Sequence, residues 1–349
     1  MRCHVQTEDH LPRCDAIFAA IDDAWTAQVE EWGWPEPLPD NGLGGTDGLD
    51  VYIHSAAAGG AYVNSGYIDA DPDDGRMASS SYMVLAPSIS VTEYPGYISH
   101  EFNHVLQFAV DMTEPALPPW EGTATLAEER TYPGEGSGPT VVNDYRATPW
   151  AGPLRDGYWL ENLGYWSWYE YGSVELMQWL EDEQGLSVPQ LWLDMANPTW
   201  TNEPDFLDIL TEDRWRDFNV WRADADGLLI HELDQELVVP RVQPWGVVYV
   251  DAPSETVHTD DEEFEVVPAG DRTVLIRWGP NGFDQDDDWT DRDLVVTRVN
   301  APQDSTADTA DTDVPAKPPE DCGGCGTPLG GAGLLGLLIL CQRRDKMST

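Results

Sequence analysis

The order of patterned segments predicts an α+β protein. An amphipathic helical stripe near the start is followed by two short strands of buried type. Helical runs come next, and from about residue 236 they give way to short β-type runs. At 349 residues the chain suggests about two domains and has ample length to bury a core.

In the first element, CDAIFAAIDDAWTAQVEEWGW, the residues Ile17, Ile21, Trp25, Val29 and Trp32 stand three or four apart. They form one apolar stripe of a helix, ended by Gly33 and Pro35. LDVYIHSA (49–56) reads as a buried strand, and SSYMVLAPS (80–88) as another, ended by Pro87. A helix is expected over about 95–111 and a second from near Trp120. One further helix covers NLGYWSWYEYGSVELMQWLEDEQG and stops at Gly185. From Glu236 the runs ELVVPRV, GVVYVDAP, FEVVPAG, RTVLIRWG and DLVVTRVN are separated by Gly, Pro and Asp. They predict a small β-sandwich of about five strands. APQDSTADTADTDVPAKPPED is polar and repetitive, a stalk that cannot form a core. The division expected is 1–235, a sheet with helices; 236–300, the sandwich; 301–321, the stalk; and 322–349, a terminal sorting or anchor segment.

Charge excludes one class of function. The net charge is −46, and Lys317 and Lys346 are the only lysines. Such a surface repels nucleic-acid phosphates and favours solubility, including at high salt, where self-repulsion is screened. Cys3 and Cys14 bracket RCHVQTEDHLPRC. In an oxidising compartment they are expected to form a disulfide. The rival, a metal site that adds His4 and His10, matches no finger spacing. The start, MRCHVQTEDHLPR, shows no apolar core of a signal peptide.

The chemistry lies in YISHEFNHVLQF, where His100, Glu101 and His104 spell H-E-x-x-H. With 7 His and 25 Glu in the chain, chance supplies roughly 0.01 matches to this pattern. On a helix, Ile98, Phe102, Val105 and Ala109 form the buried stripe. His100 and His104, at i and i+4, project from one face and can share an ion. Glu101 lies beside them, where a carboxylate can take a proton from an attacking water. A catalytic zinc needs a third protein ligand, and PPWEGTATLAEER offers Glu121, 17 positions after His104.

These two segments resemble the gluzincin metallopeptidases, in which H-E-x-x-H is followed by a helix bearing a ligand Glu, often within W-x-x-E-G or a near variant; here the residues are Trp120-Glu121-Gly122, with nothing between Trp and Glu. The likeness is closest to secreted bacterial members with H-E-F-x-H-x-x-Q and W-x-E-G-T-A-like patterns, and it covers roughly 51–190. It implies a zincin-like domain and a zinc-dependent endopeptidase acting on proteins or peptides. His100, His104 and Glu121 would be the ligands and Glu101 the general base. It also implies a sheet-edge strand that pairs with substrate, a role for which 80–88 is positioned, and a downstream transition-state donor. Tyr158, Tyr165, Tyr169 and Tyr171 are available for that role. Most are core aromatics at helical spacing, and Tyr165 is put forward.

Glu121, Glu128 and Glu129 compete as third ligand. Glu121 and Glu128 share a helix face, while Glu129 points about 100° away from Glu128. Glu121 is preferred, in the first turn, where Gly122 and the small Thr123, Ala124 and Thr125 allow close packing on the His helix. Glu128 then orients a ligand imidazole.

Other features stand second. DADPDDG (69–75) and DQDDDWTDRD (284–293) invite calcium but lack EF-hand spacing, and solvated acidic loops explain them as well. IHELDQEL has Gln235 where a second His would be needed, although His231 can approach the site in space. His54 is read as structural. An aminopeptidase would need an amine-anchoring acid before the His helix, and MASSSYMVLAPS has none.

At the C-terminus the 21 residues 322–342 carry no charge and precede Arg343 and Arg344. That length just crosses a ~30 Å hydrocarbon core. The pattern resembles the sorting tails of myxobacterial-type surface proteins, with Cys322 or Cys325 as the processed residue; a plain membrane anchor gives a similar location. The expectation is therefore an exported protein held at the cell envelope. The alternative function is a non-catalytic surface adhesion or binding protein that keeps the same fold.

Overall fold

The computed structural model describes residues 1–70, 76–155, 157–165, 167–197, 205–279 and 292–299. The stalk, the terminal segment and most of both acidic loops (71–75 and 284–291) lie outside the described residues. Among the described residues no helix is long and apolar enough to cross a membrane.

Helices and strands are mixed, as the α+β expectation requires. The first sheet holds β1 (Arg2–Val5), β2 (Asp50–Ile53), β3 (Ala61–Ala70) and β4 (Met77–Leu85), in the order β1-β2-β4-β3. Strands β1, β2 and β4 run parallel; β3 is antiparallel to β4 and forms the sheet edge. Val51, Ile53, Met83 and Leu85 are fully buried. Cys3 on β1 and Cys14 at the start of α1 (Cys14–Trp25) are joined by the expected disulfide.

After Trp25 the first helix continues through a π-helical turn, Thr26–Glu31. The wider turn shifts the buried stripe: Gln28 is fully buried and Val29 only partly. A capping box made by Ser90 and Glu93 precedes α2 (Tyr94–Val110). Helix α3 (Leu117–Thr131) starts three residues before Trp120, because Pro118 and Pro119 suit a first turn that needs no N–H donors. Glu121 consequently sits one turn into this helix rather than at its start.

Helix α4 (Gly138–Ala147) follows. Among the described residues the single helix expected up to Gly185 is three: α5 (Gly157–Asn162), α6 (Tyr169–Gly172) and α7 (Val174–Asp182). Gly164, at φ +88°, follows the first of them. Helices α8 (Val188–Met195), α9 (Phe206–Leu210) and α10 (Glu212–Trp221) complete the helical part.

Among the described residues the β-region has seven strands in two sheets rather than about five. One sheet has the order β5-β7-β10-β9: β5 (Ile230–His231), β7 (Val247–Val250), β10 (Arg272–Arg277) and β9 (Phe264–Ala269). The other has the order β6-β11-β8: β6 (Glu236–Val242), β11 (Arg292–Arg298) and β8 (Val257–His258). Strand β5 precedes residue 236 yet belongs to this region. Helix α10 and the turn that follows it are tied to it: Trp215 Nε1 donates to the Trp245 carbonyl at 2.9 Å, and the buried Arg222 Nε donates to Tyr249 Oη at 2.7 Å. One buried apolar cluster runs from Ile17 to Val296.

Candidate metal centre

Two helices deliver the site. On α2, Ile98, Phe102 and Leu106 are fully buried. That fixes the helix rotation and sends His100 and His104 towards α3. A polar cluster anchors the opposite side: Gln28 Nε2 donates to the Ser99 carbonyl at 2.9 Å, and Asn103 Nδ2 donates to Gln28 Oε1 at 3.0 Å. Gln28 escaped sequence reasoning because a glutamine beside an apolar stripe carries no signal until the π turn rotates it inward.

Three ligand atoms converge. His100 Nε2 lies 3.1 Å from Glu121 Oε2 and 3.2 Å from His104 Nε2, and His104 Nε2 lies 3.5 Å from Glu121 Oε2. A tetrahedral ion with bonds of about 2.0–2.1 Å has ligand–ligand edges of about 3.3–3.4 Å. The three atoms therefore span one face of such a tetrahedron, and this buried group can hold a metal ion.

The outer ring nitrogens decide what the inner ones carry. His100 Nδ1 is 2.7 Å from Glu128 Oε1, and His104 Nδ1 is 2.7 Å from Gln107 Oε1. Glu128 is held by Ser137, whose backbone N–H donates at 2.8 Å and whose hydroxyl donates at 2.9 Å. Gln107 Nε2 donates to the Trp120 carbonyl at 3.0 Å, so its Oε1 is an acceptor. Both neutral imidazoles thus carry hydrogen on Nδ1 and present an Nε2 lone pair. With both rings neutral, two lone pairs and a carboxylate oxygen face one point, an arrangement that a cation satisfies.

No protein-family model, curated protein or solved structure matches this chain.

Without a cation, the same carboxylates favour a proton on His100. Burial disfavours a charged His100, yet hydrogen bonds to Glu121 and Glu128 outweigh it and raise its pKa well above the ordinary value. Burial alone would raise the Glu121 carboxyl; the charge of His104 and hydrogen bonds to both histidines draw it down to about 2. Glu101 is buried and raised by that burial, against the pull of His104 and His100. Its carboxylate lines the cleft.

The cleft beside these groups holds about 230 Å³. One wall is the edge strand β3, through Tyr62 and Val63; the other is apolar, with Phe108, Met112, Leu117 and Trp120. Strand β4, which contains most of 80–88, lies between β2 and β3, and both its edges are paired. The edge expected there is therefore β3.

Among the expected tyrosines, Tyr165 is 47% exposed, packs edge-on to Trp150 at 5.4 Å, and does not line the cleft. Tyr171 does: its ring stacks on His100 with centroids 5.6 Å apart. The Tyr171 hydroxyl is buried beside the Glu121 carboxylate, with no hydrogen bond of good geometry. Burial, and then the charge of Glu121, raises its pKa well above the ordinary value. Tyr169 is committed elsewhere, donating to the Gly152 carbonyl at 2.6 Å. The side chain of Tyr158 lies outside the described residues.

Gly122 explains why Tyr171 comes so close. A Cβ there would stand 2.2 Å from Ser173 Oγ and 2.9 Å from the Ser173 carbonyl carbon. Gly122 thus faces the start of α7 and lets the Tyr171–Ser173 segment reach α3, instead of serving the α2 contact expected from sequence. Glu129 turns away and accepts from Gly134 N–H at 3.1 Å. His231 sits on β5 opposite Val250, outside the cleft lining. His54 Nδ1 accepts from Ala56 N–H at 3.0 Å, a structural cap.

Proposed function

We propose that the protein is a zinc-dependent endopeptidase of the gluzincin type. The observation that carries this reading is the convergence of the His100, His104 and Glu121 lone pairs at 3.1–3.5 Å, with Glu101 beside them on an open cleft. The donor set, two imidazoles and one carboxylate on a partly open site, suits catalytic zinc. When bound, zinc supplies a Lewis acid that ionises water near neutral pH and polarises a carbonyl.

The chain's own residues divide the remaining work. Glu101, raised by burial, takes the proton of the attacking water and passes it to the leaving amine. Tyr171 offers its buried hydroxyl to the oxygen that gains charge as the carbonyl is attacked. Glu128 fixes the His100 ring through Nδ1. The open edge of β3 offers main-chain groups to an extended peptide, and the apolar wall takes a side chain. Among the described residues that line the cleft, Glu101 and Glu121 are the only acids. That supports endopeptidase over aminopeptidase action, which would need an anchor for the substrate amine.

The Cys3–Cys14 disulfide supports an oxidising location. Together with the charge-free terminal run it supports action at the cell envelope. The test is metal analysis of purified protein combined with casein cleavage in the presence and absence of chelator. Stoichiometric zinc with chelator-sensitive cleavage supports the reading. Zinc without cleavage favours the surface-binding alternative, and a protein that takes up no metal removes the proposal.

A further inference from the structure

We infer that Gln107 is a positioning residue that sets the tautomer of His104 and ties it to the helix carrying Glu121. The inference rests on the reading of His100, His104 and Glu121 as metal ligands.

Gln107 stands at i+3 from His104 on α2 and is fully buried. Its two amide atoms do different work. Oε1 accepts from His104 Nδ1 at 2.7 Å, and Nε2 donates to the Trp120 carbonyl at 3.0 Å. Trp120 immediately precedes Glu121 on α3. A single side chain therefore joins one ligand to the backbone beside another.

The amide cannot be reversed without loss. A flipped group would turn its NH₂ towards His104 Nδ1 and its oxygen towards the Trp120 carbonyl. The imidazole would then have to carry its hydrogen on Nε2, which points at the ligand cluster. The Trp120 carbonyl thus locks the amide, and the amide locks the ring. A glutamine suits this bridge because it reaches both groups and offers one donor and one acceptor. Asparagine is a methylene shorter.

The two imidazoles are also backed differently. His100 leans on the Glu128 carboxylate, and His104 on a neutral amide. With a divalent cation, Glu121 and Glu128 already balance the charge. A neutral group behind His104 avoids adding a further negative charge to a buried site that also holds Glu101.

The test compares Gln107→Met with Gln107→Glu. Methionine keeps the length and removes donor and acceptor. Glutamate keeps the acceptor for His104 Nδ1 and, when ionised, gives up the donor to Trp120. Zinc affinity is read by competition with a chromophoric chelator, and ligand geometry by the cobalt(II) absorption spectrum. Circular dichroism and melting of each variant report on the fold.

The expected result is that Gln107→Met weakens zinc by ~10–100-fold and perturbs the cobalt spectrum. Gln107→Glu holds zinc at the parent affinity or tighter. If Gln107→Met does not fold, Gln107→Asn carries the same expectation of weakened zinc. Parent affinity in Gln107→Met overturns the inference. So does equal weakening in Gln107→Met and Gln107→Glu, which would mean that the acceptor facing His104 Nδ1 does not set the affinity. A parent protein that binds no zinc overturns the metal reading and this role together, and is told apart from the other outcomes by the parent titration alone.

Discussion

Glu121 and Glu128, seven residues apart on one helix, hold the two nitrogens of a single imidazole. Glu121 Oε2 is 3.1 Å from His100 Nε2, and Glu128 Oε1 is 2.7 Å from His100 Nδ1. Seven residues is two helical turns, so both carboxylates lie on one face. The ring bridges them, and its two sides differ. The Nε2 side meets His104 as well as Glu121, while on the Nδ1 side Glu128 is enclosed by Ser137.

That difference predicts unequal losses. Glu121→Ala should lose zinc at neutral pH, whereas Glu128→Ala should weaken it by only ~10–100-fold. Metal content after dialysis measures both. Tight, stoichiometric zinc in Glu121→Ala beside an empty Glu128→Ala would reverse the assignment.

Glu101 touches none of the three ligand contacts, and it lines the cleft. Glu101→Gln should therefore keep both fold and zinc while losing ~10²–10⁴-fold in turnover, the usual contribution of a general base. Peptide cleavage by the variant at the parent rate would sink the mechanism.

Tyr171 and Tyr165 give a paired test. The Tyr171 hydroxyl is buried beside His100 and Glu121, while Tyr165 rests on Trp150 at the surface. Tyr171→Phe should lower kcat by ~10²–10³ with little change in KM, as expected for a donor that acts in the transition state. Tyr165→Phe should leave both unchanged. The opposite pattern would restore Tyr165 to the role expected from sequence.

The local parts of this site were legible and the long-range parts were not. H-E-x-x-H placed two imidazoles on one helix face, because the helical period alone decides that. The seven-residue spacing likewise paired Glu121 with Glu128. The edge strand was missed because AYVNSGYIDA interrupts its apolar alternation with Asn64, Ser65 and Gly66, and only pairing with β4 holds it extended. Strand β1, four residues long, gives almost no periodic signal. The choice among tyrosines depended on where one presumed helix breaks. Gly122, which brings Tyr171 against His100, acts through a contact with Ser173, 51 positions away. Spacing along a chain cannot report such an approach.

The loop between the two ligand helices predicts a pH dependence of stability. Glu114 is buried there; its carboxylate accepts N–H bonds from Ala116 at 2.8 Å and Phe206 at 3.2 Å. Burial nonetheless dominates, and with the charges of Asp205 and Asp111 nearby it pushes the group up to about 8 from an ordinary 4.5. Asp111, also buried, is pushed up to about 6. A carboxyl raised by folding is protonated in the folded state and ionised in the unfolded one between these values. Unfolding then releases a proton, so stability is full below about pH 4.5 and falls as pH rises towards about 8. In Glu114→Gln nothing titrates at this position, but one amide hydrogen faces a backbone N–H. The variant should melt below the parent near pH 5, where the parent carboxyl is neutral. The gap should narrow or reverse by pH 8 as the parent loses stability and the variant does not. Melting curves at fixed ionic strength across pH 5–8 measure this, and the difference between the two proteins removes titrations they share. Parallel curves across that range would show that Glu114 is not held above its ordinary value.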